Sequence, residues 1–373
     1  MRTVDAAGLP IGDNHPPRIM GVLNVSQESP YDPSVYDDPG EAAEYVDTEL
    51  IDEGADIVDV GLESANKKFE VLSAEQELDR LETALQTIDS ISGDAVFSIE
   101  TRYHEVAEEA LKGGFDMVND ICGFADPMMP DVCAEYDVAV GKMASPSDLE
   151  RPGAVETVDD IYEALFQNGL TEKTILDPAF GGWSEEKTLE DDRETFRRLR
   201  EFRAIGQPIL VSINRKNFLK DLADRSTEEA LPVSLAATSM AVERGAHVVR
   251  THDVAETRDA AIVGSEFARQ RVRDETVEEL DVTTVREATR YLTSTESSLD
   301  AGATVSRLFV LDIPASARQS LVAAAGDTDA VVADTGRKVL LGGPVSTLLD
   351  LTETVQDPPA LADALGAVRE GCR

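Results

Sequence analysis

Two basic side chains, Arg250 and His252, stand two residues apart after a short apolar run. If that run is a strand, both can face the same opening, and an arginine there can hold a phosphate through two parallel hydrogen bonds. Asp177 precedes Pro178, a position where an aspartate taken alone is typical of a turn or a helix N-cap. Residues 18–270 show no Ser-His-Asp or Cys-His signature of a catalytic nucleophile. Chemistry at such a site would therefore rest on positioning and electrostatics.

Polar residues follow nearly every apolar run in the first 270 residues. A barrel with a purely structural role does not need such residues at successive strand exits, so we predict one shared site where the βα loops gather. The residues are Asn24, Asp59, Glu63, Ser64, Glu100, Thr101, Asn119, Asp120, Lys142, Asp177, Asn214, Arg215, Lys216, Arg250, His252 and Asp253.

The apolar runs alternate with longer amphipathic stretches, such as 74–91 and 227–244, in the βαβα pattern of a parallel sheet. Eight such units within about 250 residues predict an α/β fold of the (β/α)8 TIM-barrel type rather than an open doubly wound sheet. The predicted strands are 19–23, 57–60, 95–99, 117–118, 138–141, 174–176, 209–211 and 247–249.

The pattern changes near residue 270, which predicts a small C-terminal α/β domain after the barrel. No repeat, phosphate loop or metal-binding cluster is recognisable in it, so its role stays open. We predict an N-terminal arm at 1–17, the barrel at 18–270, a helical linker at 271–300 and the small domain at 301–373. Within that domain the predicted strands are 308–313, 330–333 and 339–341, and the predicted helices are 314–325 and 359–370.

The composition is strongly acidic, with 34 Lys and Arg against 73 Asp and Glu and a net charge of −39. Such a surface repels nucleic acids and anionic membranes, which we exclude as partners. It is typical of proteins that work at high salt, where charge repulsion is screened, so we predict a halophilic source. The three cysteines lack metal or disulfide spacing, and no secretory signal is recognisable, so we expect a cytoplasmic protein.

Six segments in the predicted barrel resemble, in the same order, the motifs of dihydropteroate synthases, which are pterin-binding TIM-barrel enzymes. Each segment alone is weakly specific, but six in register are specific together. The segments are 19–26, 54–64, 119–121, 175–181, 214–216 and 250–254.

The resemblance implies condensation of 6-hydroxymethyl-7,8-dihydropterin diphosphate with 4-aminobenzoate or a related aryl amine in folate biosynthesis, with release of diphosphate. A pterin edge carries both donors and acceptors, and leaving one unpaired costs about 1–3 kcal/mol, so its pocket needs a carboxylate and an amide. We also expect Mg²⁺ as cofactor and a homodimer. The implied residues are Asp59, Glu100, Asn119, Asp177 and Lys216 for the pterin, Asn24, Ser64, Arg250 and His252 for the diphosphate, Asn24 for the metal, and Lys216, Arg250 and His252 for catalysis.

The departures from the family pattern concentrate in the loops that close over the diphosphate and the amine. Glu100 replaces an aspartate on the pterin side, and the other departures are Glu28, Pro30, Ala65, Asn66, Asn214, Gly182 and Trp183. They leave the amine undetermined. Two alternatives stay open: a pterin-binding methyltransferase domain, and a pterin-binding protein without catalytic activity. Because Lys216, Arg250, His252 and Asn24 are retained, the synthase is the favoured interpretation.

Overall fold

A computed structural model describes residues 1–25, 34–63, 71–181, 184, 186–273, 276–294, 299–336, 338–355 and 357–372. The chain forms two compact units, Met1–Gln270 and Arg271–Arg373. No helix in these ranges is both long and apolar enough to cross a membrane.

The first unit is built around eight parallel strands in the order β8-β7-β6-β5-β4-β3-β10-β9. A parallel bridge between Leu176 and Ile209 joins the two end strands, so the sheet closes into a barrel. The predicted (β/α)8 fold is confirmed. The strands are β3 (Arg18–Asn24), β4 (Ile57–Gly61), β5 (Val96–Thr101), β6 (Met117–Asp120), β7 (Ala139–Met143), β8 (Thr174–Asp177), β9 (Leu210–Val211) and β10 (Val248–Thr251).

Helices surround the barrel because each carries an apolar side that packs on the outward-facing strand residues, such as Val58, Val118 and Val249. Ser73 begins α2 with a capping box to Gln76. The α-helices are α1 (Pro39–Tyr45), α2 (Ala74–Ser90), α3 (His104–Lys112), α4 (Met129–Glu135), α5 (Val158–Phe166), α6 (Leu189–Arg197), α7 (Asn217–Ala223), α8 (Leu231–Glu243) and α9 (Val254–Glu266), with a π-helical stretch at Val46–Ile51 and a 3-10 helix at Leu199–Ile205.

Residues 1–17, predicted as an arm, contain an antiparallel hairpin of β1 (Val4–Ala6) and β2 (Leu9–Ile11). Its side chains pack against the inward-facing apolar residues at the start of the barrel strands, including Met20, Ile57 and Val248. The N-terminal end of the barrel is therefore filled with apolar side chains, which leaves the opposite end for polar chemistry.

The second unit has an antiparallel sheet in the order β11-β13-β12 and its own apolar core. The predicted linker helix begins only at Val285, and its Ala288 belongs to this core. The helix α13 was not predicted from the sequence. The elements are α10 (Val285–Ser294), α11 (Ala301–Thr304), β11 (Ser306–Leu311), α12 (Ala315–Ala325), β12 (Val331–Asp334), β13 (Val339–Pro344), α13 (Val345–Thr354) and α14 (Pro359–Cys372).

Most barrel strands extend further toward their C-terminal ends than predicted. Glu100, Asn119 and Asp177 were predicted to follow their strands, but each lies within one. The prediction ended these three strands at an apolar residue, at Ile99, Val118 and Leu176. Because side chains alternate between the two faces of a strand, these polar residues point into the barrel while their neighbours point out.

Candidate functional site

A cavity opens at the C-terminal end of the barrel and encloses about 580 Å³, its mouth included. Five of the predicted site residues line it together, although they come from five different strand ends. The lining residues are Glu100, Asn119, Ile121, Met143, Pro152, Asp177, Ala179, Phe180, Gly181, Ser212, Lys216 and Arg250.

Arg250 is held from two sides by carboxylates. Its Nε donates to Asp59 Oδ2 at 2.7 Å, and its Nη2 donates to Glu100 Oε2 at 2.6 Å. Asp59 is fully buried and also accepts from Asn119 Nδ2 at 2.9 Å. Asp59 does not line the cavity, so it lies behind Asn119 and Arg250 and orients both of them.

Burial and the mutual charges of these side chains shift their pKa values. Burial raises the pKa of Glu100, an effect that the Arg250 guanidinium opposes and the Asp59 carboxylate reinforces. The two carboxylates together keep the pKa of Arg250 above its ordinary value despite burial. Arg250 is therefore a permanent cation in a fixed position, and its Nη1 donates to none of the described residues.

Asp177 ends β8 and Lys216 follows β9, and both line the cavity. Asp177 Oδ1 accepts from the backbone of Ala179 at 2.7 Å, so the turn expected at Asp177 does exist. Burial raises the pKa of Asp177 and lowers the pKa of Lys216, and the attraction between the two opposes both shifts. The Lys216 side chain donates no hydrogen bond within the described chain, which leaves its donors for a ligand.

The backbone is strained on both sides of this pair. Ala179 and Arg215 adopt left-handed conformations, with φ of 58° and 51°, which non-glycine residues rarely occupy and which concentrate at functional sites. Gly181 has φ of 69°, and a Cβ there would come within 3.0 Å of Lys216 Cδ. A glycine at position 181 therefore lets Lys216 reach the cavity.

His252 follows β10 and is not among the residues that line the cavity. Burial, reinforced by the nearby Arg250 guanidinium, lowers the pKa of His252 to about 3. In the protein without ligand its imidazole is therefore neutral at pH 7. It can donate a hydrogen bond to an anion, but the positive charge of this end of the barrel comes from Arg250 and Lys216.

Asn24, the predicted metal ligand, ends β3. Its Nδ2 donates to Ser34 Oγ at 3.0 Å. Its Oδ1 faces Gly61, and a Cβ added to that glycine would lie 3.2 Å from this oxygen. No donor in the described chain contacts this Oδ1, and carboxamide oxygen is a ligand that Mg²⁺ accepts. The residue therefore fits a divalent cation. Ser64, the other residue predicted for the diphosphate, lies outside the described residues, as do Glu28, Pro30, Ala65, Asn66, Gly182 and Trp183.

Several polar residues at the predicted strand exits do not line the cavity, among them Lys142, Asp120 and Thr101. Lys142 faces outward and donates to the carbonyl of Leu165 in the last turn of α5, at 3.1 Å, and to that of Gly169 after the helix, at 2.7 Å. Asp120 accepts from the backbone of Cys122 and Phe124, and Thr101 donates to Glu77. The expectation that they share the site was wrong. Each stands next to a residue whose side chain faces inward, and adjacent side chains on a strand point to opposite faces.

The apolar walls were not predicted from the sequence. Ile121, Met143 and Phe180 border the same space as the polar residues, and Pro152 reaches it from the segment between β7 and α5. Strand alternation could have identified Met143, which stands two residues after the inward-facing Gly141. The cavity thus combines apolar walls with a few converging polar groups, which suits a flat heterocycle with a hydrogen-bonding edge.

Comparisons with known proteins agree with this geometry. The model of the pterin-binding enzyme family matches residues 20–252. The chain is 32% identical over 242 residues to the dihydropteroate synthase of Bacillus subtilis, covering 63% of this chain and 83% of that protein. A dihydropteroate synthase structure from Coxiella burnetii, in complex with pteroic acid, matches with a TM-score of 0.60 and 29% identity over 71% of this chain and 98% of that one.

One similar protein is much longer. The chain is 34% identical over 250 residues to the probable bifunctional folylpolyglutamate synthase/dihydropteroate synthase of Halobacterium salinarum, covering 64% of this chain. The aligned part spans only 30% of that protein's length.

Proposed function

Since the chain belongs to the dihydropteroate synthase family of pterin-binding enzymes, we propose that it joins 6-hydroxymethyl-7,8-dihydropterin diphosphate to 4-aminobenzoate, or to a related aryl amine, in folate biosynthesis. The observation that carries the proposal is that Asn119, Asp177 and Lys216 converge on one cavity with apolar walls. The same cavity holds the guanidinium of Arg250, as a reaction that releases an anion requires.

The pterin lies between Phe180 and the side chains of Ile121 and Met143, with its polar edge toward the barrel floor. Asp177 accepts from the pterin N–H groups through the oxygen that Ala179 does not bind, while Asn119 and Lys216 donate to its ring acceptors. Glu100 supplies a further acceptor beside them. Asp59 positions Asn119 and Arg250 from behind, since it contacts both and does not line the cavity.

The diphosphate lies at the mouth, near Arg250, His252 and Asn24. The family resemblance also assigns Ser64 to it, a residue outside the described ranges. The support is that Arg250 Nη1 has no acceptor among the described residues and that His252 follows on the same strand exit. Asn24 would hold Mg²⁺ through Oδ1, and the cation would neutralise part of the diphosphate charge when bound.

The reaction breaks the bond between the pterin methylene carbon and the diphosphate oxygen, and diphosphate leaves with the electron pair. The amine nitrogen forms the new bond to that carbon and then loses a proton to solvent. Arg250 and His252 stabilise the charge that develops on the leaving oxygens, and Lys216 with Asp177 keeps the ring in position. No covalent enzyme intermediate is required.

The enzyme works as a cytoplasmic homodimer at high salt. Exposed apolar side chains on α8, on α9 and directly after α9 support the dimer, because Met240, Ile262 and Phe267 are 46, 51 and 80% exposed and patches of this kind often mark interfaces. The net charge of −39 supports a halophilic source. Sedimentation of the protein with Phe267 replaced by Asp tests the dimer.

The function is tested by incubating the protein in concentrated KCl with the pterin diphosphate, Mg²⁺ and 4-aminobenzoate, followed by mass detection of dihydropteroate. Product formation that disappears in Lys216→Met supports the proposal. If aniline, 3-aminobenzoate and 4-aminobenzoate all fail with a folded protein, the synthase activity is contradicted.

A further inference from the structure

Arg102 follows β5 directly, yet its side chain is completely buried. Its Nη1 donates to the carbonyl of Leu149 at 2.7 Å, and its Nη2 contacts the carboxylate of Glu63. Its Nε has no hydrogen-bond partner among the described residues. An arginine buried this deeply is retained only where its partners are well placed, because desolvation of its charge is unfavourable.

The two partners of Arg102 belong to segments that follow different strands of the barrel. Glu63 follows β4, and its second oxygen accepts from the backbone of Leu72 at 3.0 Å, which joins two positions nine residues apart. Leu149 lies between β7 and α5, three residues before Pro152, which lines the cavity. Arg102 therefore connects the exits of β4, β5 and β7 through a single guanidinium.

The segment that carries Pro152 is held at a second point as well. Ser145 Oγ donates to the carbonyl of Ile121 at 2.9 Å and accepts from the backbone of Gly153 at 2.9 Å. This contact fixes Pro152 relative to Ile121 on one side, and Arg102 fixes Leu149 on the other. Two contacts therefore hold the wall formed by Ile121 and Pro152. One is the pair of hydrogen bonds made by the Ser145 hydroxyl, and the other is the buried guanidinium of Arg102.

We propose that Arg102 is a positioning residue that fixes the Pro152 wall of the ligand cavity through Leu149 and anchors the Glu63 carboxylate. Arg102 does not itself line the cavity, so it acts only through these two contacts. The inference rests on the proposed function, because the ligand of the cavity is the pterin. It adds a residue outside the set assigned to the pterin and the diphosphate.

The test compares the affinity of variants for 6-hydroxymethylpterin by calorimetry in concentrated KCl. Arg102→Met should bind this probe about tenfold more weakly than the wild type, since the wall loses one anchor. Arg102→Lys, which keeps the charge and one donor, should recover part of the loss. The matched control is Arg151→Met in the same segment, because Arg151 is exposed and pairs only with Asp148 among the described residues. Its affinity should equal that of the wild type.

Loss of the fold would be a separate effect, since Arg102→Met leaves the Glu63 carboxylate without its cation. The double variant Arg102→Met, Glu63→Gln removes both charges and should fold, yet it should still bind the pterin weakly because the Leu149 contact is gone. If the folded variants bind as tightly as the wild type and differ only in melting temperature, the positioning role is overturned. If the wild type itself does not bind 6-hydroxymethylpterin, the proposed function fails and the inference fails with it.

Discussion

The Nε of Arg250 donates to Oδ2 of Asp59 at 2.7 Å, so a carboxylate buried beneath the cavity holds the cation that faces it. Among the described residues, Asp59 is linked to the cavity through Arg250 and Asn119. The guanidinium proposed to meet the leaving group and the amide proposed to bind the pterin thus share one support. Electrostatic stabilisation is most effective when the stabilising groups are fixed before the reaction, and Asp59 fixes both of these groups.

Replacing Arg250 with Ala should impair both stability and turnover. The change leaves Asp59 and Glu100 without their cation, and breaking a buried pair costs about 3–5 kcal/mol of unfolding free energy. Losing a charge-assisted contact to the diphosphate, worth about 1.5–3 kcal/mol, should also lower kcat/KM about tenfold to a hundredfold. Kinetics and melting temperature should be measured together.

The comparison variant is His252→Ala, which removes a neutral ring and should lower kcat/KM with a smaller loss of stability. Both variants should lose more in turnover of the diphosphate substrate than in binding of the bare pterin. Equal losses for the two ligands would contradict the assignment of Arg250 and His252 to the leaving group.

The pH dependence of His252 follows from its pKa of about 3 in the folded protein. An unfolded histidine has a pKa of about 6.5, so below that pH the unfolded chain binds a proton that the folded chain does not. This histidine therefore lowers stability as the pH falls from about 6.5 toward 3. Denaturation of wild type and His252→Gln from pH 7 to pH 4 should show the steeper loss in the wild type. If the NMR signal of the His252 imidazole titrates near 6.5, the prediction is refuted.

Replacing Asp177 with Asn should abolish pterin binding and leave the fold intact. The asparagine carbonyl can still accept from Ala179, but the other acceptor becomes a donor facing the donors of the pterin edge. Calorimetry with 6-hydroxymethylpterin measures the loss, and the melting temperature serves as the control. An unchanged affinity would mean that Asp177 only forms the turn before Pro178.

Lowering the ionic strength should unfold the protein because of its net charge of −39. Charge repulsion is screened over about 3 Å at 1 M salt but over about 30 Å at 0.01 M. Circular dichroism during dialysis from concentrated KCl should show loss of helix. A neutral osmolyte at equal osmolarity should not replace the salt. Full structure in dilute buffer would contradict adaptation to high salt.

The sequence was sufficient to predict the barrel, because eight apolar runs alternating with amphipathic helices allow few other arrangements. It also placed Asn119, Asp177, Lys216 and Arg250 at one end, since the C-terminal ends of parallel strands meet there. It did not separate Asp59, which lies behind the cavity, from the residues that line it. That distinction depends on the position of each residue along the barrel axis, which the sequence alone does not give.

Other features depend on contacts between residues distant in sequence. Lys142 was predicted to share the site but points outward, because the register of β7 places Gly141 and Met143 inside. Arg102 was overlooked, since nothing local shows that its partners are Glu63 and Leu149, 39 and 47 residues away. The hairpin of residues 4–11 was likewise missed, because its short strands gain their burial only from the end of the barrel that they cover.

The most direct measurement counts both products of the same reaction. With the pterin diphosphate, 4-aminobenzoate and Mg²⁺ in concentrated KCl, dihydropteroate measured by mass and diphosphate measured by phosphorus NMR should appear in equal amounts. Asp177→Asn, folded under the same conditions, should form neither. If the wild type binds the pterin diphosphate but releases diphosphate without dihydropteroate, or forms neither product with any aryl amine, the proposed synthase activity is wrong.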